Sequence, residues 1–297
     1  MLVKRDAGLG SLLRGDARRI CGDFQFTEGP VWVATDECLL FTDIPNQRIH
    51  RWRPGQDGAE VYRENSGHAN GLTLDNNGNL LTCEHSGRRV SVAAYGGAEL
   101  HAIDSLEGQR FNSPNDVVVD TSGVIWFTDP TYGLTNPRLG DPTAQRDLDF
   151  QGVYRVATDG AIRCVTREFS QPNGLVFTPD ESHLYIGDSQ DKIIRRYRVE
   201  ADGTLSGGDL FVDMRDAEGP GAPDGMAVDE TGRLWTTGTG GVWVIEADGT
   251  IIGVLELPEN PANLCFGGPD WSTLYLTART SVYAIETAVR GVAPGSR

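Results

Sequence analysis

One pattern recurs six times along this chain, and it constrains the fold more than any other feature. A Glu, Asn or Asp, followed by glycine in four copies, leads a short apolar stretch. A polar turn follows, then a second stretch rich in aromatic and β-branched residues, then more β-rich sequence. The copies open at Glu28 (EGPVWVATDECLLFTDIPNQRIHRW), Asn70 (NGLTLDNNGNLLTCEHSGRRVSV), Asn115 (NDVVVDTSGVIWFTDPTYG), Asn173 (NGLVFTPDESHLYIGDSQDKIIRRY), Asp224 (DGMAVDETGRLWTTGTGGVWVI) and Asn263 (NLCFGGPDWSTLYLTARTSVYAI). The leading positions are 42, 45, 58, 51 and 39 residues apart. Such spacing suits four antiparallel strands with their turns, the unit of a β-propeller blade.

Local signals agree. LLFTDI, VIWFTD, HLYIGDS and RLWTTG favour strands, and Asn77-Gly78, Asp159-Gly160, Asp202-Gly203 and Asp248-Gly249 are hairpin-turn dipeptides. No long amphipathic helix is evident. The expected fold is all-β: a six-bladed propeller of four-stranded antiparallel blades around a central channel. It is read as a single domain over residues 1–297, with residues 1–22 as an N-terminal extension. The longest interval carries an insertion at 129–150, DPTYGLTNPRLGDPTAQRDLDF. A long loop in a compact domain is often functional, so this one is a candidate lid over the channel mouth, with a plain surface insertion as the equal alternative.

A closed ring of blades brings equivalent positions to one end of the channel. Glu28, Asn70, Asn115, Asn173, Asp224 and Asn263 therefore converge, although they are far apart in sequence. Two carboxylates and several amide oxygens suit a hard divalent cation. No His or Cys occupies these positions, which argues against copper or structural zinc. Calcium fits best; magnesium, manganese and a weakly held catalytic zinc also fit. The competing reading is that Asn-Gly and Asp-Gly simply turn the chain. It is the stronger one for Asn70 and Asn263 taken alone, and weak for Glu28, since Glu-Gly-Pro is no standard hairpin turn. His85 is read as a packed strand residue and is given no chemistry.

Composition narrows the partners. The net charge of −16 would repel phosphate backbones, so nucleic acid is not an expected partner. Residues 1–21 intersperse Lys4, Arg5, Asp6, Arg14, Asp16, Arg18 and Arg19 among apolar residues, which is unlike a signal peptide. No apolar run is long enough to span a membrane. Five scattered cysteines with no CxxC pair fit neither a disulfide framework nor a thiolate metal site. A cytoplasmic protein, monomer or dimer, with a small-molecule partner is expected. GxSxG and phosphate-cradling glycine loops are absent.

EGPVW with LLFTDIPNQRIHRW, SPNDVVVD with IWFTDPTYG, QPNGLVFTPD with LYIGDS, and APDGMAVDETGRLW together resemble the senescence-marker-protein/gluconolactonase/regucalcin-like family of six-bladed propellers. The resemblance runs from about Phe26 to Ile285. It implies a divalent metal held by Glu28, Asn173 and Asp224, with Asn115 on the metal or the substrate and Asp224 as the catalytic general base. It also implies polar contacts to sugar hydroxyls at the mouth, for which Asn70, Arg110, Asn112 and Asn115 are the candidates. Ser113 stands where the regucalcin branch carries an Arg, which favours the bacterial gluconolactonase-like branch.

The expected activity is metal-dependent opening of a sugar lactone to its aldonic acid. Two alternatives stay open: an organophosphate hydrolase like diisopropylfluorophosphatase, whose pocket should be apolar, and a non-enzymatic calcium-binding propeller.

Overall fold

The computed structural model describes residues 2–294. Six antiparallel meanders surround an axial channel. Their innermost strands are Thr27–Val33, Ala69–Leu74, Val117–Val119, Pro172–Phe177, Met226–Val228 and Asn263–Gly267, numbered here as blades one to six. Each inner strand pairs with the next strand in sequence, and pairing continues outward in chain order except at the outer edges of blades five and six. No described helix is long and apolar enough to cross a membrane.

The core is divided as the blades are. Six clusters of buried apolar side chains each fill the space between two neighbouring blades. Strands of the middle blade positions are therefore buried on both faces, which is why LLF, LYI and VWV read as continuous apolar runs rather than as alternating ones. Trp32, Trp126 and Trp235 are fully buried. Two of them are tied to the turn before their strand: Trp126 Nε1 donates to Asp120 Oδ2 and Trp235 Nε1 to Asp229 Oδ2, each at 3.1 Å.

The segment expected to be an appendage is built into the ring. Arg18–Gly22 forms the outermost strand of blade six, antiparallel to Ser281–Glu286 near the other end of the chain. Leu2–Lys4 adds a fifth strand to blade five against Ile251–Glu256, and Leu9 is buried between blades five and six. Chain ends paired within one sheet close the ring by hydrogen bonds as well as by packing.

The inner strands are shaped to present side chains to the channel. In blades one, two and four the pairing register shifts between Glu28 and Val31, between Ala69 and Leu72, and between Pro172 and Leu175. Each bulge contains the leading residue of its copy, and bulges re-aim side chains. The glycines that follow have a different purpose from turning the chain. A Cβ on Gly29 would lie 2.0 Å from the Asn70 carbonyl oxygen, and one on Gly174 would lie 2.0 Å from that of Asp224. Only glycine lets neighbouring inner strands approach this closely.

Candidate active site

A cavity of about 180 Å³ lies at the channel mouth, lined by Phe26, Glu28, Ile44, Asn70, His85, Asn115, Tyr132, Leu139, Asn173, Ser189, Ala222 and Asp224. Five of the six leading residues meet there. The sixth, Asn263, acts from behind: its Nδ2 donates to Glu28 Oε2 at 2.9 Å, and the Gly29 N–H donates to the same oxygen at 2.8 Å. Glu28 is thereby fixed through one carboxylate oxygen.

The amides are oriented by chains that end on backbone carbonyls. Ser189 Oγ donates to the Pro223 carbonyl at 2.6 Å, so its lone pair receives Asn173 Nδ2 at 2.8 Å. His85 Nδ1 lies 3.0 Å from the Leu139 carbonyl, and its Nε2 lies 3.1 Å from Asn70 Nδ2. A carbonyl can only accept, so Nδ1 carries the proton and Nε2 accepts from the amide. In both asparagines the NH2 group is engaged away from the oxygen. Asn70 Oδ1 is buried with no donor among the described residues.

Electrostatics point the same way. Burial lifts the Glu28 carboxyl to about 7 against the hydrogen bonds of Gly29 and Asn263. Asp116, next to Asn115, is lifted to about 7 by burial and then by the Glu28 charge. Asp224 is pushed well above the usual carboxylate range by burial first, then by Glu28 and Asp116. A positive charge placed among these three mutually repelling acids would favour their ionised forms. Among the described residues no trio of His, Cys, Asp or Glu is placed to hold a metal. Glu28 and Asp224 are instead complemented by neutral amide oxygens, a donor set suited to a hard cation, and the orphaned Asn70 oxygen is a further acceptor awaiting a partner.

Two of the expected substrate contacts lie elsewhere. Asn112 is fully buried. Its Nδ2 donates to Asp129 Oδ2 and to the Phe150 carbonyl, and its Oδ1 accepts from Arg146 Nε at 3.1 Å. Every polar atom of its side chain is committed to holding the long loop. Arg110 is exposed on the hairpin formed by Ser105–Leu106 and Gln109–Arg110, donating to the Gly87 carbonyl. Neither lines the cavity, whereas Asn70 and Asn115 do.

The 129–150 loop reaches the mouth. It contains a short helix, Tyr132–Thr135, and places Tyr132 and Leu139 in the cavity wall. Sequence reasoning read His85 as a packed residue without chemistry and passed over Ser189. Nothing in CEHSG or IGDSQ marks them; their roles depend on carbonyls 54 and 34 residues away. It also passed over a recurrent acid. Asp43, Asp129 and Asp188 end the second strands of blades one, three and four. Each accepts backbone N–H groups from the segment leading into the inner strand: Gln25 and Phe26, Asn112 and Ser113, Ser170 and Gln171. These carboxylates hold the segments that carry Glu28, Asn115 and Asn173.

Residues 26–280 match the model of the SMP-30/gluconolactonase/LRE-like region. A gluconolactonase of Zymomonas mobilis subsp. mobilis is 31% identical over 293 residues, covering 92% of this chain and 81% of the relative. A pentonolactonase of Haloferax volcanii is 32% identical over 255 residues, covering 84% of this chain and 80% of the relative. The solved structure of a Xanthomonas campestris gluconolactonase superposes with a TM-score of 0.87 at 31% identity, covering 96% of this chain and 94% of that one. With the matched region spanning the four-stranded meanders of blades one to five and the two inner strands of the sixth, the chain belongs to the SMP-30/gluconolactonase/LRE-like family.

Proposed function

We propose that this protein is a lactonase that opens a sugar lactone to its aldonic acid with one divalent cation at the cavity floor. The observation that carries the reading is the set of acceptor oxygens, from Glu28, Asn70, Asn115, Asn173 and Asp224, gathered at one cavity. Lactonase relatives across most of the chain support it. Glu28, Asn115, Asn173 and Asp224 would hold the cation, calcium by preference for an all-oxygen set, with magnesium, manganese or zinc as alternatives. When bound, the cation supplies Lewis-acid polarisation of the ester carbonyl.

The chain's own residues do the rest. Asn70 Oδ1 accepts a ring hydroxyl, and the NH2 group of Asn115, whose oxygen would hold the cation, donates to another. Tyr132 and Leu139 close the wall and limit water to the attacking molecule. A carboxylate oxygen of Asp224 takes a proton as water adds to the carbonyl carbon. The ring C–O bond then breaks, and the departing alkoxide recovers a proton to give the hydroxy acid. Its surroundings raise the proton affinity of Asp224, and the cation's charge opposes that effect. An activated ester demands only a modest base.

The test is a lactone panel assayed on metal-free protein and again after each metal is added. Turnover of glucono- or pentonolactone that returns with one metal is expected, and Asp224→Asn should cut kcat about a thousandfold. Wild-type-like turnover by that variant would remove Asp224 from the chemistry. The apolar wall of Phe26, Ile44, Leu139 and Ala222 favours one second reading, hydrolysis of a compact organophosphate. A fluorophosphate assayed beside gluconolactone separates the two. Calcium binding without turnover of either would leave a non-enzymatic propeller.

A further inference from the structure

We infer that His85 is a positioning residue through which the 129–150 loop sets the orientation of the Asn70 amide, and with it recognition of a substrate hydroxyl. The inference rests on the lactonase reading for the identity of the ligand, and on geometry alone for the relay. Asn70 and His85 are 4% and 1% exposed, so neither has solvent as an alternative partner. The Leu139 carbonyl fixes the proton on His85 Nδ1. The bare Nε2 then binds the NH2 of Asn70 rather than its oxygen. Had the proton been on Nε2, the amide would turn over and present a donor where it now leaves Oδ1 unpartnered.

The loop is seated firmly enough to impose this choice. A Cβ on Gly133 would lie 2.8 Å from His85 Cβ, so loop backbone packs directly on the histidine. The loop of blade three therefore selects between an acceptor and a donor on blade two. An acceptor at Asn70 favours a lactone bearing a hydroxyl at the facing ring carbon, and discriminates against one lacking it.

Two substitutions separate the halves of the relay. In His85→Asn the amide stands near the Nδ1 position, so the Leu139 link survives and the Asn70 link is lost. In His85→Gln the amide reaches the Nε2 position, so its oxygen can still receive Asn70 Nδ2. We expect H85N to raise KM for D-glucono-δ-lactone roughly tenfold, to lower kcat/KM for hydroxyl-free δ-valerolactone much less, and to add nothing to the loss in Asn70→Ala. H85Q should recover most of the loss. Equal damage from both variants, or equal loss on both lactones, would overturn the assignment. A readout on the wild type needs no turnover: 15N shifts of selectively labelled histidine should give a neutral His85 protonated at Nδ1 at pH 7. The Nε2–H tautomer or an imidazolium would contradict the relay. Wild type inert on both lactones would count against the lactonase reading, while the tautomer still decides the relay.

Discussion

Asn173 receives its orientation from Ser189, and Ser189 from the Pro223 carbonyl, one residue before Asp224. Two candidate ligands on different blades are thus joined by a chain of two hydrogen bonds. Gly174 closes the same contact from the other side, its Cα against the Asp224 carbonyl. Adding a methyl group there must push the blade-four and blade-five strands apart. Overpacking of this kind costs about 2 kcal/mol. Gly174→Ala should therefore lower Tm by roughly 5 °C and weaken calcium binding in the same sample. A variant with wild-type Tm and calcium affinity would mean that the two strands have room to spare. The glycine after four of the leading residues was visible in the sequence, but its physical reason was not. A turn and a close approach leave the same dipeptide, and only the neighbouring strand distinguishes them.

At the scale of single elements, the second strand of a blade does more than fill the sheet. Asp188 accepts the backbone N–H groups of Ser170, Gln171, Gln190 and Asp191. Asp188→Ala strands these donors at a cost of about 3 kcal/mol and frees the segment that carries Asn173. Asp120 sits at the opposite end of its blade, where it accepts Ser122 and Val124 N–H groups and the Trp126 indole. Asp120→Ala should cost comparable stability and leave calcium affinity unchanged, whereas Asp188→Ala should lose both. Equal calcium affinities in the two variants would show that Asp188 stabilises without positioning. The strands themselves were legible because aromatic and β-branched runs alternate with Asn-Gly and Asp-Gly turns. The role of the loop was half legible: its length marked it, but its contacts to His85 and Asn112 required the fold. Arg110 and Asn112 lie outside the cavity for the same reason, since polarity in a loop says nothing about which way it faces.

The whole molecule is a ring that gathers negative charge on its axis. Glu28 and Asp116 have folded-state values near 7, above their ordinary values of 4.5 and 3.8. The folded state therefore binds more protons than the unfolded chain between those limits, and stability is lost as pH rises through 7. Metal-free protein should melt highest near about pH 5 and progressively lower toward about pH 8. Calcium bound as proposed would compensate the charge, so it should raise Tm more at the higher pH. A metal-free Tm that rises over this window would contradict the account of the axis. Ring closure was predictable from six spaced copies. The strand that Arg18–Gly22 contributes beside Ser281–Glu286 was not, because RRICG carries no mark of a partner more than 250 residues away.

The central claim is that carboxylates from blades one and five share one cation. Calorimetric titration of metal-free protein with Ca²⁺ tests it most directly, run on wild type, Glu28→Gln and Asp224→Asn at one pH and ionic strength. One site per chain in the wild type is predicted, with affinity reduced roughly tenfold or more in each variant. Identical titrations for all three proteins would contradict it.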